Sequence, residues 1–143
     1  MWKMYSQIAV IGMLAICSAE DIRKKQVRTN VILAFGIVGV IFHMLWQMQS
    51  IESILAGMGI GGALLLLSIL TRGKIGIGDG ILLVVTGIYL GLEQNLILLL
   101  SSLFICALYA LFLLILRKKG RKDTIAFVPF VFVSYMCMLA GVV

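Results

Sequence analysis

Hydrophobic residues follow one another along this chain in long runs that are separated by short polar joints. None of the runs alternates between apolar and polar positions as the strands of a membrane barrel do, and a bilayer offers backbone groups no water, so helices are favoured. A helix that crosses a membrane needs about 20 mainly apolar residues. The approximate limits of the six runs are Tyr5 to Ala19, Val31 to Met48, Ile54 to Leu70, Gly80 to Leu92, Leu96 to Leu116 and Ile125 to Val142.

The pattern therefore predicts an all-α integral membrane protein, a bundle of about six transmembrane helices. Composition strengthens this prediction: of the 143 residues, 62% are hydrophobic, one is proline, and the mean hydropathy is +1.15. These values lie far outside the range of water-soluble domains. No linker, repeat or low-complexity tract divides the sequence, so residues 1–143 are expected to form a single transmembrane domain whose partner is the lipid bilayer.

The net charge of +6 could suggest nucleic acid, but the placement of the charges favours a membrane orientation signal instead. By the positive-inside rule, joints rich in Lys and Arg face the cytoplasm, which puts both termini outside in a multi-pass protein of the cell membrane. No nucleic-acid partner is predicted. Eleven of the twelve basic residues lie in the first, third and fifth joints: Arg23, Lys24, Lys25, Arg28, Arg72, Lys74, Arg117, Lys118, Lys119, Arg121 and Lys122.

Two aspartates far apart in the sequence reach the same predicted face. Asp21 follows the short first run, and Asp79 precedes the short fourth run behind a glycine-rich turn. A run of thirteen residues spans less than the roughly 30 Å of hydrocarbon at about 1.5 Å per residue, so either the helix extends through Asp79 or the bilayer thins. Both options place Asp79 at or just below the cytoplasmic surface.

Two carboxylates in proximity can perform acid and base catalysis together. One holds a proton while the other stays charged, because ionising both at close range is unfavourable. The charged carboxylate can take a proton from water as the water attacks a peptide carbonyl, and the protonated one can donate to the carbonyl oxygen. Asp21 and Asp79 are therefore a candidate pair for peptide hydrolysis. No metal site and no cofactor is predicted.

Each aspartate also has a structural interpretation. Asp79 lies between a glycine and an apolar helix, as an N-cap residue does, and on local sequence alone this interpretation is favoured. Asp21 lies four residues before Lys25, a spacing at which a solvent-exposed ion pair forms on a helix. Gly57 and Gly61 in the third run have the spacing that lets two helices pack closely, which is preferred there over ligand binding.

Three motifs resemble those of one protein family. Gly76-Ile77-Gly78-Asp79 is a GxGD motif that opens an apolar helix, and together with the earlier Asp21 it resembles the type IV prepilin peptidases, which are intramembrane aspartic proteases. The run from Asp21 to Val27 resembles the family's first motif, an aspartate followed by basic residues. The run from Asp123 to Phe130 resembles its last, in which a Pro-Phe element enters the membrane near the active site.

The resemblance implies a function and a set of site residues. The chain would be a peptidase that cuts the basic leader from pilin-like precursors at the cytoplasmic face, with water as the nucleophile. Asp21 and Asp79 would be the catalytic dyad. Residues of the substrate-binding or active-site loops would be Gly76, Gly78, Pro129 and Phe130. Members that also methylate the new N-terminus carry a large cytoplasmic insertion with paired cysteines, and the first joint is too short for one, so cleavage without methylation is predicted.

The chain departs from the family's motifs in three places. Arg28-Thr29 stands where Pro-Asn is common, Ile81 stands where a lysine is common, and Ala126 and Val128 replace a proline and a glycine of the last motif. The departures leave both aspartates in place and concern substrate preference and the tuning of the carboxylates.

Two other functions are compatible with parts of the pattern. A GxGD protease of the presenilin kind is less favoured, because those proteases have a Tyr-Asp element inside an earlier span, whereas Asp21 follows Glu20 at the end of one. A non-enzymatic transport or assembly protein would use the same carboxylates to bind a cation or to cap helices.

Overall fold

Five helices make up the part of the chain that the computed structural model describes, which is residues 1–47, 49–117 and 125–142. Four of them are long and apolar enough to cross a membrane, and the last is apolar but shorter. Met48, the basic residues at 118–122, Asp123 and Thr124 lie outside the described residues. The helices are α1 (Trp2–Lys24), α2 (Thr29–Trp46), α3 (Ile51–Leu70), α4 (Ile77–Ile115) and α5 (Val128–Leu139).

The chain reverses direction in the middle of α4. Gly91 has φ 74° and ψ −171°, which is not helical. The Asn95 side-chain amide donates a hydrogen bond of 3.0 Å to the carbonyl of Leu83, although twelve residues of straight helix would separate the two by about 18 Å. α4 is therefore two arms folded against each other, residues 77–90 and 92–115. They correspond to the predicted fourth and fifth runs, which are continuous in α4 except for the break at Gly91.

Glycine is required at the reversal for two reasons. A positive φ is unfavourable for residues with a side chain, and a Cβ atom on Gly91 would lie 2.5 Å from the Ser53 hydroxyl oxygen. That hydroxyl accepts a hydrogen bond of 3.2 Å from the backbone N–H of Leu92, at the start of the second arm. α3 therefore supplies a partner to a backbone group that the break in α4 leaves without a helical one.

α3 packs against the folded α4 through glycines, which confirms the close approach predicted at Gly57 and Gly61. A Cβ atom on Gly57 would lie 2.7 Å from the carbonyl carbon of Gly91, and one on Gly87 would lie 2.6 Å from the carbonyl oxygen of Gly57. Asn95 joins the three segments, because its amide also donates to the Gly57 carbonyl at 2.9 Å while its oxygen accepts from the Thr86 hydroxyl at 2.7 Å.

α1, α2 and α5 surround the first arm of α4. Buried residues of α1 pack with those of α4 and α5 in a shared core. The Tyr89 hydroxyl donates to the Phe35 carbonyl of α2 at 2.6 Å, and a Cβ atom on Gly39 would meet the Tyr89 ring at 2.9 Å. These contacts hold the first arm on the side opposite to α3.

The arms of α4 differ in length, and this difference sets the depth of the first arm's N-terminus. At about 1.5 Å per residue, residues 77–90 span roughly 21 Å and residues 92–115 roughly 36 Å. Because both start from Gly91, the first arm ends about 15 Å short of the second. α4 begins at Ile77 and so extends through Asp79, one of the two options predicted. α1 likewise continues to Lys24, so Asp21 lies inside it rather than after it.

The close packing of α3 on α4 predicts that Gly57→Ala is destabilising. The added methyl group meets the backbone of Gly91, which cannot move aside as a side chain can, so we expect the stability to fall by about 2 kcal/mol. Gly59→Ala is the matched control, since a Cβ atom there has no neighbour within 4 Å. Thermal unfolding in detergent micelles measures both, and equal midpoints for the two variants would contradict the packing.

Candidate functional site

A cavity of about 1290 Å³ lies where α1 ends and α4 begins, and it brings the two aspartates together. Asp21 and Asp79 both line it. Gly76 and Gly78 line it as well. The α1–α2 joint, the α3–α4 turn and the residues before α5 thus all contribute to one site.

Asp79 does not cap its helix. The N-cap of α4 is Gly76, and among the described residues no side chain makes a capping hydrogen bond to it. Asp79 is the third residue of the helix, and its carboxylate turns back so that a Cβ atom on Gly76 would lie 2.9 Å from one of its oxygens. The N-cap interpretation is therefore wrong. Glycine at position 76 leaves the space that the carboxylate occupies, and a negative charge in this first turn is favoured by the helix dipole.

Asp21 is held by the backbone of a distant helix. Only 6% of its surface is exposed, and its Oδ2 accepts a hydrogen bond of 3.0 Å from the N–H of Val128, the first residue of α5. The first N–H groups of a helix have no partner within it, and the next residue, Pro129, has no N–H at all. The burial of Asp21 contradicts the solvent-exposed position that the ion-pair interpretation gave its carboxylate.

Glu20, next to Asp21, has a different role. Its carboxylate accepts from the backbone N–H of Arg28 at 3.3 Å and pairs with the Arg28 guanidinium at 3.5 Å. These contacts tie the end of α1 to the start of α2 across the joint of residues 25–28. Glu20 thus organises the joint, and Asp21 is the carboxylate that enters the cavity.

The glycine-rich turn is fastened to α3 by one buried hydroxyl. Ser68 is 1% exposed, and its hydroxyl donates a hydrogen bond of 2.5 Å to the carbonyl of Ile75. The N–H of Gly73, which has φ 80°, donates 2.9 Å to the Ser68 carbonyl. The turn is thus anchored at both ends to the same residue, immediately before the residues that lead into Asp79.

Pro129 and Phe130 lie beside the cavity rather than in its lining. They form the first turn of α5, and the Phe130 ring packs against Tyr109 with centroids 5.2 Å apart. The residues just before them, Ile125 to Phe127, line the cavity instead. The sequence did not predict the role of the Val128 N–H, since the residue type says nothing about a backbone donor. It also did not predict that Leu99 and Leu103 form apolar walls of the cavity, because they look like any lipid-facing leucines.

The cavity combines two carboxylates with a polar rim and apolar walls. Exposed Lys25, Gln26 and Lys74 belong to the rim, and Leu64 and Leu99 to the walls. Such a site can bring water to an extended polypeptide and hold proton donors and acceptors beside it. Within the described residues, no group of three or more His, Cys, Asp or Glu side chains is placed to hold a metal ion.

Comparison with known proteins gives a family and no individual relative. The model of the family described as the type IV leader peptidase family matches residues 8–111, a range that contains both aspartates and the glycine-rich turn. No curated protein and no solved structure matches significantly.

The anchoring of the turn predicts that Ser68→Ala loosens it. Losing this hydrogen bond costs about 1 kcal/mol, which corresponds to roughly fivefold faster amide hydrogen exchange at residues 73–78. Ser134→Ala is the control, because the Ser134 hydroxyl is equally buried and has no hydrogen-bond partner among the described residues. Exchange in micelles followed by mass spectrometry measures the difference, and unchanged protection of the turn in Ser68→Ala would contradict the anchoring role.

Proposed function

Because this chain belongs to the type IV leader peptidase family, a family of proteases, we propose that it is an aspartic endopeptidase with Asp21 and Asp79 as its catalytic dyad. Its substrates are pilin-like precursors, from which it removes the basic leader. The observation that carries the proposal is the single cavity that Asp21 and Asp79 line from helices far apart in sequence. Two carboxylates that face each other across one cavity share one proton, because ionising both at close range is unfavourable.

The reaction is the hydrolysis of one peptide bond. The charged carboxylate takes a proton from water while the water oxygen bonds to the peptide carbonyl carbon, and the protonated carboxylate donates its proton to the carbonyl oxygen. The tetrahedral intermediate then collapses: one of its hydroxyls gives its proton to the charged carboxylate as the carbonyl re-forms, the carbon–nitrogen bond breaks, and the leaving amine takes up the proton of the other carboxyl group.

The surroundings of the aspartates suit this role. The Val128 N–H holds Asp21 in one orientation, and the space at Gly76 lets Asp79 turn toward the cavity. Gly76 and Gly78 carry no side chain that would obstruct an extended substrate lying along the turn. Pro129 and Phe130 act through the start of α5, which presents the Val128 N–H to Asp21, rather than through contact with the substrate.

We propose six membrane crossings with both termini outside and the active site at the cytoplasmic face. Each arm of α4 then counts as one crossing, and so does α5. Because the first arm and α5 are short, the bilayer must be thinner around them, or a water-filled polar depression must enter the protein at the cytoplasmic face. The α1–α2 joint consists of residues 25–28, which leaves no room for a methyltransferase insertion, so the products carry an unmethylated N-terminus.

The dyad predicts that Asp21→Asn and Asp79→Asn each abolish cleavage. Asparagine keeps the size and much of the hydrogen bonding of aspartate but cannot exchange the proton, so we expect a loss of at least about a thousandfold. The chain is co-expressed with a pilin-like precursor, and leader removal is followed by gel shift and by sequencing and mass of the new N-terminus.

Glu93→Gln is the control for this experiment, since Glu93 is an exposed carboxylate near the reversal at Gly91, at the other end of the first arm. It is expected to cut at the wild-type rate. A folded Asp21→Asn or Asp79→Asn variant that cuts as fast as Glu93→Gln would exclude that aspartate from the dyad. A methylated product would contradict the absence of methyltransferase activity.

The proposed topology predicts that positions 74 and 93 lie on opposite sides of the membrane. Lys74→Cys and Glu93→Cys are made in a chain whose Cys17, Cys106 and Cys137 are replaced by alanine, and both positions are exposed in the structure. A membrane-impermeant maleimide added to intact cells should label position 93 alone, and inverted vesicles should expose position 74 alone. Labelling of both from the same side would contradict the arrangement.

A further inference from the structure

The cavity that holds the aspartates has a polar opening and an apolar one. At the polar rim the exposed lining residues are Lys25, Gln26, Thr29 and Lys74, which face the end of the bundle. On the second arm of α4, Leu103 also lines the cavity and is 46% exposed, and its neighbour Phe104 is 66% exposed without lining the cavity. Leu103 therefore lies at the edge between the cavity and the outer surface of the second arm, and this edge is the apolar opening.

Leu103 lies at the depth of Asp79. Asp79 precedes Gly91 by twelve residues and Leu103 follows it by twelve, so each is about 18 Å along its arm from the reversal. The second arm continues to Ile115, about 18 Å further, so Leu103 is within the apolar span and not at its end. The apolar opening is thus on the lipid-facing side and level with the catalytic carboxylate.

The neighbours of Leu103 divide into two groups. Leu99, one turn earlier, lines the cavity and is half-buried, as is Phe127 before α5. Leu100 and Phe104 are 58% and 66% exposed but do not line the cavity, so they face the outside only. Among the described residues of the second arm, the cavity is thus bordered by Leu99 and Leu103, whose spacing of four places them on one helix face.

We propose that the apolar helix of the precursor reaches the dyad from within the membrane, across Leu103, with Leu99 and Phe127 beside it. This inference rests on the proposed function. A precursor whose basic leader is joined to an apolar helix needs a polar path for one side of the scissile bond and an apolar path for the other. An apolar helix that stays in lipid while it moves sideways never exposes its surface to water, so this path avoids the cost of withdrawing the helix from the bilayer.

The test is site-specific photocrosslinking in liposomes that hold the full chain and the intact precursor. The photoreactive amino acid benzoylphenylalanine replaces Leu103, or Leu100 as the matched control, in an Asp79→Asn background that keeps the precursor uncut. Position 103 is expected to give at least about fivefold more adduct than position 100, with the adduct in the precursor's apolar segment. Equal adducts from the two positions, or adducts only in the basic leader, overturn the inference.

A kinetic comparison provides a second, independent readout. Leu103→Trp narrows the proposed opening and should lower kcat/KM for the membrane-embedded precursor by about tenfold, whereas Leu100→Trp should leave it unchanged. A folded Leu103→Trp variant that cuts as fast as Leu100→Trp overturns the inference. If the wild type cuts the precursor, such a result rejects only the access path; if the wild type cuts nothing, the proposed function itself is rejected and this inference with it.

Discussion

The reversal of the chain at Gly91 is the constraint on which the rest of the structure depends. It folds the two arms of α4 together, and the approach of α3 to both of them is possible only because Gly57 and Gly87 carry no side chains. Asn95 secures the arrangement by bonding to carbonyls of both α3 and the first arm. Backbone groups in a bilayer cannot form hydrogen bonds with water. A break in a helix is therefore stable there only if neighbouring segments supply hydrogen-bond partners, as the Ser53 hydroxyl does for the Leu92 N–H.

The hydrogen bond from the Val128 N–H to the Asp21 carboxylate stabilises the fold and also fixes the geometry of the site. A buried carboxylate is costly without partners, and the N-terminus of α5 offers a donor that otherwise has none. The same contact holds α1 to α5 and orients the carboxylate in the cavity. Because the donor is a backbone group, the replacement of the family's glycine by Val128 leaves the interaction intact. The departures from the last motif therefore bear less on Asp21 than the residue types alone suggest.

Features set by composition and periodicity were predictable from the sequence, and features set by tertiary contacts were not. The apolar runs gave the helices, and the Gly57/Gly61 spacing gave the close packing with α4. A reversal between the fourth and fifth runs was predicted, but its position at Gly91 was not, since Gly91 looks no different in sequence from Gly87. Local sequence favoured Asp79 as an N-cap, because nothing within a few residues reveals that Gly76 takes that position. The cavity walls were missed because Leu99 and Leu103 have no polar atoms to distinguish them.

The unequal arms of α4 resolve a conflict that hydrolysis inside a membrane creates. Hydrolysis needs water, while the apolar part of the proposed substrate favours lipid, and a site on a full-length span would serve only the second need. The short first arm places Asp79 below the end of the longer one, so the exposed polar rim opens above the carboxylates while apolar walls continue beside them. A longer first arm would carry Asp79 out to the surface and away from the apolar walls, and a shorter one would carry it out of reach of water.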